Sequence, residues 1–413
     1  MSKRLFEPRA GIAYRLSDSL VVRSGYGISN DPYNLLRPFR VNYPEMLSLV
    51  ITAPNTYTPA SYLQSGIPAS VEPSYGNGIV PIPGNLNADT IIPDQFKRGY
   101  IQSWNLTLQK RFGHGWTTEA GYVGTRSIGE LAYVNRNAGT VGGGIASEPL
   151  DILYGRTAYT AQITGLGTYK YDSLQARLQH HFESGYQVGV NYTFSKSMGI
   201  AGNDNGDGAP DILAPGYYRL NYARTDLDHT HNLEIENTIE LPFGSGKKFA
   251  SSGVASALLG GWRINALLSL YSGAPFNVTA PGTSLNAPGS TQRADQVLPN
   301  VAELGGIGPG QFYYNPSAFA QVTQVRFGTA GFQVLDSPPT RLLNMGLFRQ
   351  FRIQERVSLQ FRAEATNATN TPSFAAPNGS VSSSAFMTVT ATQGTGREGV
   401  DQRLLRFGLR LGF

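Results

Sequence analysis

The chain has no cysteine in its 413 residues. That excludes a disulfide scaffold, thiolate chemistry and any cysteine-based metal site, while leaving the compartment open. Charge is also scarce. Asp, Glu, Lys and Arg together make up 15% of the sequence, against roughly 25% in an ordinary soluble domain. The net charge of +5 is mild, and no basic cluster of the kind that tracks a phosphate backbone occurs, so nucleic acid is not an expected partner. No apolar run approaches the roughly 18 residues of a membrane helix. The opening Met1-Ser-Lys-Arg-Leu-Phe-Glu-Pro8 begins basic but lacks the apolar stretch of about 7–15 residues that makes a secretory signal. A chain with export-type strands and no signal peptide is expected to be part of something longer. What is plentiful is Gly (48), Tyr (22) and Phe (20). Such a composition fits a transmembrane β-barrel or a soluble all-β protein.

Alternation separates the two. At the C-terminus, Leu405, Phe407, Leu409, Leu411 and Phe413 fall on one side of an extended chain, and Arg406, Gly408, Arg410 and Gly412 on the other. A period of two is what a strand shows when hydrocarbon meets one side and water the other. The pattern recurs in eleven segments: 9–16, 19–29, 98–112, 115–126, 170–182, 186–197, 229–242, 261–272, 341–353, 355–367 and 404–413. Tyr186, Val188, Val190, Tyr192 and Phe194 alternate with polar residues and glycine. Leu233, Ile235, Ile239 and Leu241 oppose Glu234, Glu236, Thr238 and Glu240. Three carboxylates on one strand face require water, a lumen or a partner. The apolar sets read as lipid-facing and the others as lumen-facing.

The connections alternate as well. Ser17-Asp18, Gly113-His114, Glu183-Ser184-Gly185 and Gln354 are short turns, and 243–260 is a somewhat longer link. Between them lie long segments at 30–97, 127–169, 198–228, 273–340 and 368–403. Short turns at the periplasmic end and long loops at the outer end are the habit of outer-membrane barrels. A soluble sandwich rarely keeps five loops of this length. The last strand then descends to the periplasm. Tyr100, Phe112, Trp116, Phe182, Tyr186, Trp262 and Phe351 sit at strand ends as interfacial girdles, and Lys110, Lys196 and Arg349 lie on apolar faces near strand ends, where long side chains snorkel. The long loops, rich in Pro, Gly, Asn, Ser and Tyr, are expected to be ordered only by packing on one another or on a partner. The fold class is therefore all-β, an antiparallel transmembrane β-barrel. Eleven is an odd count, so these strands are expected to form part of a larger barrel.

Several blocks resemble the barrel domain of TonB-dependent outer-membrane receptors, in particular their Oar-like branch. They are Tyr171-Asp-Ser-Leu-Gln175, Asp226-Leu-Asp-His-Thr-His231 with Glu240-Leu-Pro-Phe-Gly244, Gly260-Gly-Trp-Arg-Ile264 with Ser272-Gly-Ala-Pro-Phe276, Tyr314-Asn-Pro-Ser-Ala-Phe319 and Leu359-Gln-Phe-Arg-Ala-Glu364. Ala365-Thr366-Asn367 departs from the family's habit of an aromatic before Asn, at a position that looks structural. The resemblance implies a barrel of about 22 strands around an N-terminal plug, with residues 1–413 its C-terminal part and nothing matching plug or TonB box. It also implies partners: outer-membrane lipid, the barrel-assembly machinery through the C-terminal strand, plug and TonB through an N-terminal part, and an unidentified extracellular substrate. An autonomous passive porin or surface adhesin is the alternative.

Candidate chemistry is thin. Asn203, Asn205 and Asp207 followed by Gly208 partly match a calcium loop, but the position for the bidentate Glu holds Ala214, so a polar turn fits better. His229 and His231 share a strand face beside Asp226 and Asp228; two such residues can hold a metal, although a hydrogen-bonding cluster is the simpler reading. His180 and His181 point to opposite faces. Arg177, Glu234, Glu236, Glu240, Arg263, Arg362, Glu364, Arg406 and Arg410 form a mixed-charge lumen wall. Paired carboxylates serve glycosidases, but here they sit on a flat strand, and no catalytic motif accompanies them. No enzyme activity, metal or cofactor is expected.

Overall fold

In the computed structural model the described residues are 5–30, 51–69, 72–84, 86–90, 98–200, 202–204, 210–353, 357–394 and 396–413. Eleven long strands form one antiparallel sheet in strict chain order. They are β1 (Arg9–Ser17), β2 (Leu20–Asn30), β3 (Tyr100–Arg111), β4 (Trp116–Asn135), β5 (Thr160–Glu183), β6 (Tyr186–Ile200), β7 (His231–Glu240), β8 (Trp262–Tyr271), β9 (Thr340–Arg352), β10 (Ser358–Thr366) and β11 (Leu404–Gly412). Each pairs with its sequence neighbour, and β1 and β11 are the two ends of an open sheet.

The register carries the period-2 pattern across the whole sheet. One row runs Tyr14, Val22, Leu108, Ala120, Ala176, Tyr192, Leu233 and Leu270, each opposite the next. Another runs Ile239, Ile264, Leu347, Ala363 and Phe407. A one-residue slip anywhere would turn a strand's apolar set to the other face, so the shared row is a demanding check on the sequence pattern. None of these side chains is buried, and on β11 Phe407 and Leu409 are 72% and 71% exposed. A single continuous apolar sheet face of this extent is what hydrocarbon covers in a membrane barrel.

The turns at one end are tight for local reasons. Ser184 and Gly185 both have positive φ, as a two-residue type I′ hairpin requires, and join β5 to β6 where Glu183 faces Tyr186. His114 and Gly115 adopt the same region between β3 and β4. The turn expected at Gln354 lies outside the described residues.

β4 and β5 differ from expectation. They run to 20 and 24 residues, whereas about 9–11 tilted residues cross a bilayer. Past an irregularity at Ile128, Glu130 and Ala132, where Gly129 has positive φ, the hairpin continues outward with Ala132, Tyr133 and Val134 all buried. Both of its faces are covered there, so alternation is lost and the extension reads as loop.

The largest buried core lies in the loops at the opposite end from the tight turns. Val278, Ala294, Tyr313, Tyr314, Phe319, Leu335, Phe386 and Met387 pack together, drawing on 273–340 and 368–403. A smaller cluster joins Leu213, Ala214 and Ala223 to Phe332. These two long loops fold on each other as a cap. This is the physical consequence of the sheet's setting: where its apolar face meets lipid and its polar face meets water, a protein-only core forms beyond the membrane.

Candidate functional site: the charged inner wall and the outer cap

The nine charged residues assigned to the lumen wall all fall on the face opposite the apolar rows. Arg177 stands between Glu119 and Asn191, and Asn191 faces Glu234. Glu240 faces Arg263, which faces Phe348 and then Arg362. A third row runs Gln187, Thr238, Asn265, Gly346, Glu364 and Arg406, while Gln360 faces Arg410. Glu240 accepts from Arg263 Nη2 at 2.7 Å and from Lys247 Nζ at 2.9 Å. Glu234 accepts from the Tyr271 hydroxyl at 2.5 Å. Arg362 donates to Gln360 at 2.9 Å and lies over the Phe348 ring. A cavity of about 440 Å³ follows the third row, lined by Glu236, Asn265, Leu267, Asn344, Glu364 and Arg406. Carboxylates, guanidinium and amides together make it a polar surface for contact with water or a polar body.

Of the aromatics expected in girdles, Phe112, Trp116, Phe182, Tyr186, Trp262 and Phe351 lie at the tight-turn end, and Tyr100 opens β3 at the other end. His180 is buried between the Trp116 and Tyr186 rings at 4.7 and 4.2 Å. Arg349 lies over Trp262 and Phe351, and Trp262 meets Phe361 edge-on. Lys110 reaches over Phe112. Lys196 stands across the register from Asp172, whose carboxylate is engaged by Lys170 and the Tyr122 hydroxyl.

The remaining candidates resolve into structural contacts. His229 Nδ1 is 2.6 Å from the Ser272 carbonyl and His231 Nδ1 is 2.8 Å from the Tyr192 hydroxyl, so each ring is engaged by a different strand. Asp228 is buried and accepts from the Ser197 amide at 2.6 Å. Asn203 lies in a short strand paired with Pro210–Ile212; Asn205 and Asp207 lie outside the described residues. Ala214, in the position of the calcium loop's Glu, is fully buried. Among the described residues no group of three or more His, Asp or Glu is arranged to hold a metal ion.

The cap is fastened by residues that sequence reasoning did not single out. Arg224 spans two loops: it donates to Asp336 at 2.6 Å, and its Nε and Nη2 reach the Gln333 carbonyl. Arg326 grips Asp295 with two bonds, at 2.7 and 2.9 Å, and Arg326 holds that carboxyl below its usual range. Arg293 is buried between Phe327 and Phe332, where desolvation lowers its pKa. Burial pushes the Tyr314 hydroxyl up to about 12, so it stays protonated and donates to the Asp336 carbonyl. An apolar hollow of about 810 Å³ opens on the cap between Ile307, Phe312, Phe374, Ala385, Val389 and Ala391. No spacing rule marks such residues; their partners are tens of positions away.

Residues 1–400 match the family model described as an outer membrane beta barrel domain. The chain belongs to this family. It is an outer-membrane β-barrel protein, and its solved neighbours are outer-membrane receptors and transporters. The outer membrane transporter YddB from Escherichia coli is 10% identical, with a TM-score of 0.50 over 95% of this chain and 38% of its own. The siderophore receptor PiuA from Acinetobacter baumannii is also 10% identical, with a TM-score of 0.43 over 97% of this chain and 35% of its own. The ferripyoverdine receptor of Pseudomonas aeruginosa, again 10% identical, has a TM-score of 0.42 over 98% and 33%. The barrel protein thus spans between 33% and 38% of the length of these structures. No curated protein matches the sequence.

Proposed function

We propose that this chain is the C-terminal part of the barrel of a TonB-dependent, Oar-like receptor. Its outer cap captures a substrate, and its charged inner wall faces a plug supplied by an N-terminal part. The observation that carries the reading is one sheet with a predominantly apolar face, a mixed-charge opposite face and an ordered cap at one end. Eleven strands are half of the 22 such a barrel closes with. The ordered series of Oar-like sequence blocks and the receptor-like neighbours support the same assignment. Glu234, Glu236, Glu240, Glu364, Arg406 and Arg410 are then wall residues that hydrogen-bond the plug or line the wet passage beside it. The alternating C-terminal strand ending at Phe413 is the segment offered to the assembly machinery. Catalysis has no part in this reading, and the cargo class is left to experiment.

The test uses the full-length gene product in its outer membrane. Purified into planar bilayers, it should conduct little, because a plugged barrel is closed. Uptake of its substrate by cells should cease when TonB is deleted. A steady, large conductance together with TonB-independent permeation would overturn the proposal in favour of a passive porin.

A further inference from the structure

The link between β7 and β8, residues 243–260, is longer than its tight counterparts and has a defined fold. Its neck is pinched glycine on glycine: a Cβ on Gly244 would lie 2.6 Å from the Gly260 Cα. Beyond the neck, Phe249 returns to Phe243, and Gly253–Leu259 forms a two-turn helix. Val254, Leu258 and Leu259 are 75%, 64% and 49% exposed. By itself, such a patch says nothing about what covers it.

Its attachment does. Arg349 donates from Nη1 to the Leu258 carbonyl at 2.5 Å and from Nη2 to the Ala257 carbonyl. Trp262 Nε1 donates to the same Leu258 carbonyl at 3.1 Å. Both side chains belong to the apolar rows: Trp262 faces Arg349, and Arg349 faces Phe361. The helix is therefore fastened to the lipid side of the strand ends and not to the lumen side. A guanidinium on the last carbonyls of a helix complements the negative end of its dipole, and hydrogen bonds from a charged donor are stronger than neutral ones. The exposed leucines and valine thus continue the surface that hydrocarbon covers, at the level of the aromatic girdle. Lys248, over the Phe249 ring, adds a cation to the same link.

We propose that residues 249–259 are an interfacial foot. It lies in the headgroup–acyl boundary of the phospholipid leaflet at the tight-turn end, with Val254, Leu258 and Leu259 in the upper acyl region. Short amphipathic segments bind there through buried apolar area supplemented by cations on phosphate. The proposal rests on the membrane setting of the sheet, not on TonB dependence or on the cargo.

The chain itself has no cysteine, so a direct test is open once any cysteine outside residues 1–413 is replaced by serine. Single substitutions Leu258→Cys, Ser251→Cys and Leu268→Cys are made in the full-length protein, labelled with a bimane fluorophore and reconstituted in phospholipid vesicles. The vesicles carry bromine either on acyl carbons near the headgroup or near the chain end. At Leu258, fluorescence should be lost chiefly with the shallow bromines, while Ser251 is quenched by aqueous iodide. Leu268, in mid-sheet, reports on the barrel itself and should respond to deep bromines. Quenching of Leu258 by iodide alone, or protection from both quenchers because protein covers it, overturns the foot while the Leu268 response stands. Loss of the Leu268 response as well would sink the membrane reading of the sheet.

Discussion

Leu267 and Leu268 are neighbours in β8 with the same side chain and opposite surroundings. Leu268 stands between Ile235 and Leu343 on the apolar face. Leu267 stands between Glu236 and Asn344 and lines the inner cavity. The test is the same substitution, to Arg, at each. Counting from Trp262 in the girdle, Leu268 is six steps along the strand; at about 3.3 Å per residue and a tilt near 40° that is roughly 15 Å of depth. The apolar band is about 25 Å tall, so Leu268 sits near its middle, where an arginine facing lipid costs about 2–4 kcal/mol. Leu267→Arg places its guanidinium in a wet cavity opposite the Glu236 carboxylate, and a solvent-exposed pair of that kind is worth about 0–1 kcal/mol. The expected outcome is a clear fall in the urea midpoint and in the amount of heat-modifiable protein in outer membranes for Leu268→Arg, and near wild-type behaviour for Leu267→Arg. Equal losses, or a larger loss at Leu267, would mean that the apolar rows are packed against protein and that the sheet is not a membrane wall.

Other outcomes follow from the cap and from glycine seats in the sheet. Asn367, with φ +50° and fully buried, donates to the carbonyls of Thr371 and Val400 and accepts from the Thr371 amide. At about 1 kcal/mol per lost bond, Asn367→Ala should destabilise the loop 368–403 by about 3 kcal/mol, read as faster proteolysis there with the sheet intact. Asp295 is held below its ordinary value of 3.8 chiefly by Arg326. Its contribution is present above that value and is lost as pH falls through the depressed folded-state value. Hydrogen exchange at 292–296 and 326–330 should therefore quicken only in strong acid, and Asp295→Asn should remove that dependence. A Cβ on Gly124 would fall 2.4 Å from the Trp104 ring, so Gly124→Val should displace the indole and shift its emission, whereas Gly408→Ala, which meets open space, should not change the protein's behaviour.

How much of this was legible beforehand depends on what selects each residue. In β6, Tyr186 to Phe194 are chosen by lipid one at a time. Their pattern is local, and the eleven segments read from it correspond to the eleven long strands. The same holds for the side on which Glu234, Glu236, Glu364 and Arg406 fall, because a carboxylate or guanidinium cannot face hydrocarbon without large cost. What a strand's own sequence does not contain is its partner. That Glu240 meets both Arg263 and Lys247 depends on the register of a hairpin and the path of its link. The outer half of the β4–β5 hairpin hid for a related reason: once Tyr133 packs with Ile163 on one face and Ala132 and Val134 pack with Ile212 on the other, no solvent difference between faces remains to impose a period of two. The cap is the extreme case. Val278, Tyr314 and Met387 are brought together across more than a hundred residues of Gly- and Pro-rich sequence, each looking like an isolated apolar residue in a polar loop. The composition correctly implied that these loops needed something to pack against. Only the folded arrangement reveals that two of them, 273–340 and 368–403, supply it to each other. Deleting 368–403 should therefore loosen 273–340 as well, seen as new protease cuts near Phe319 and Leu335, while the sheet still assembles.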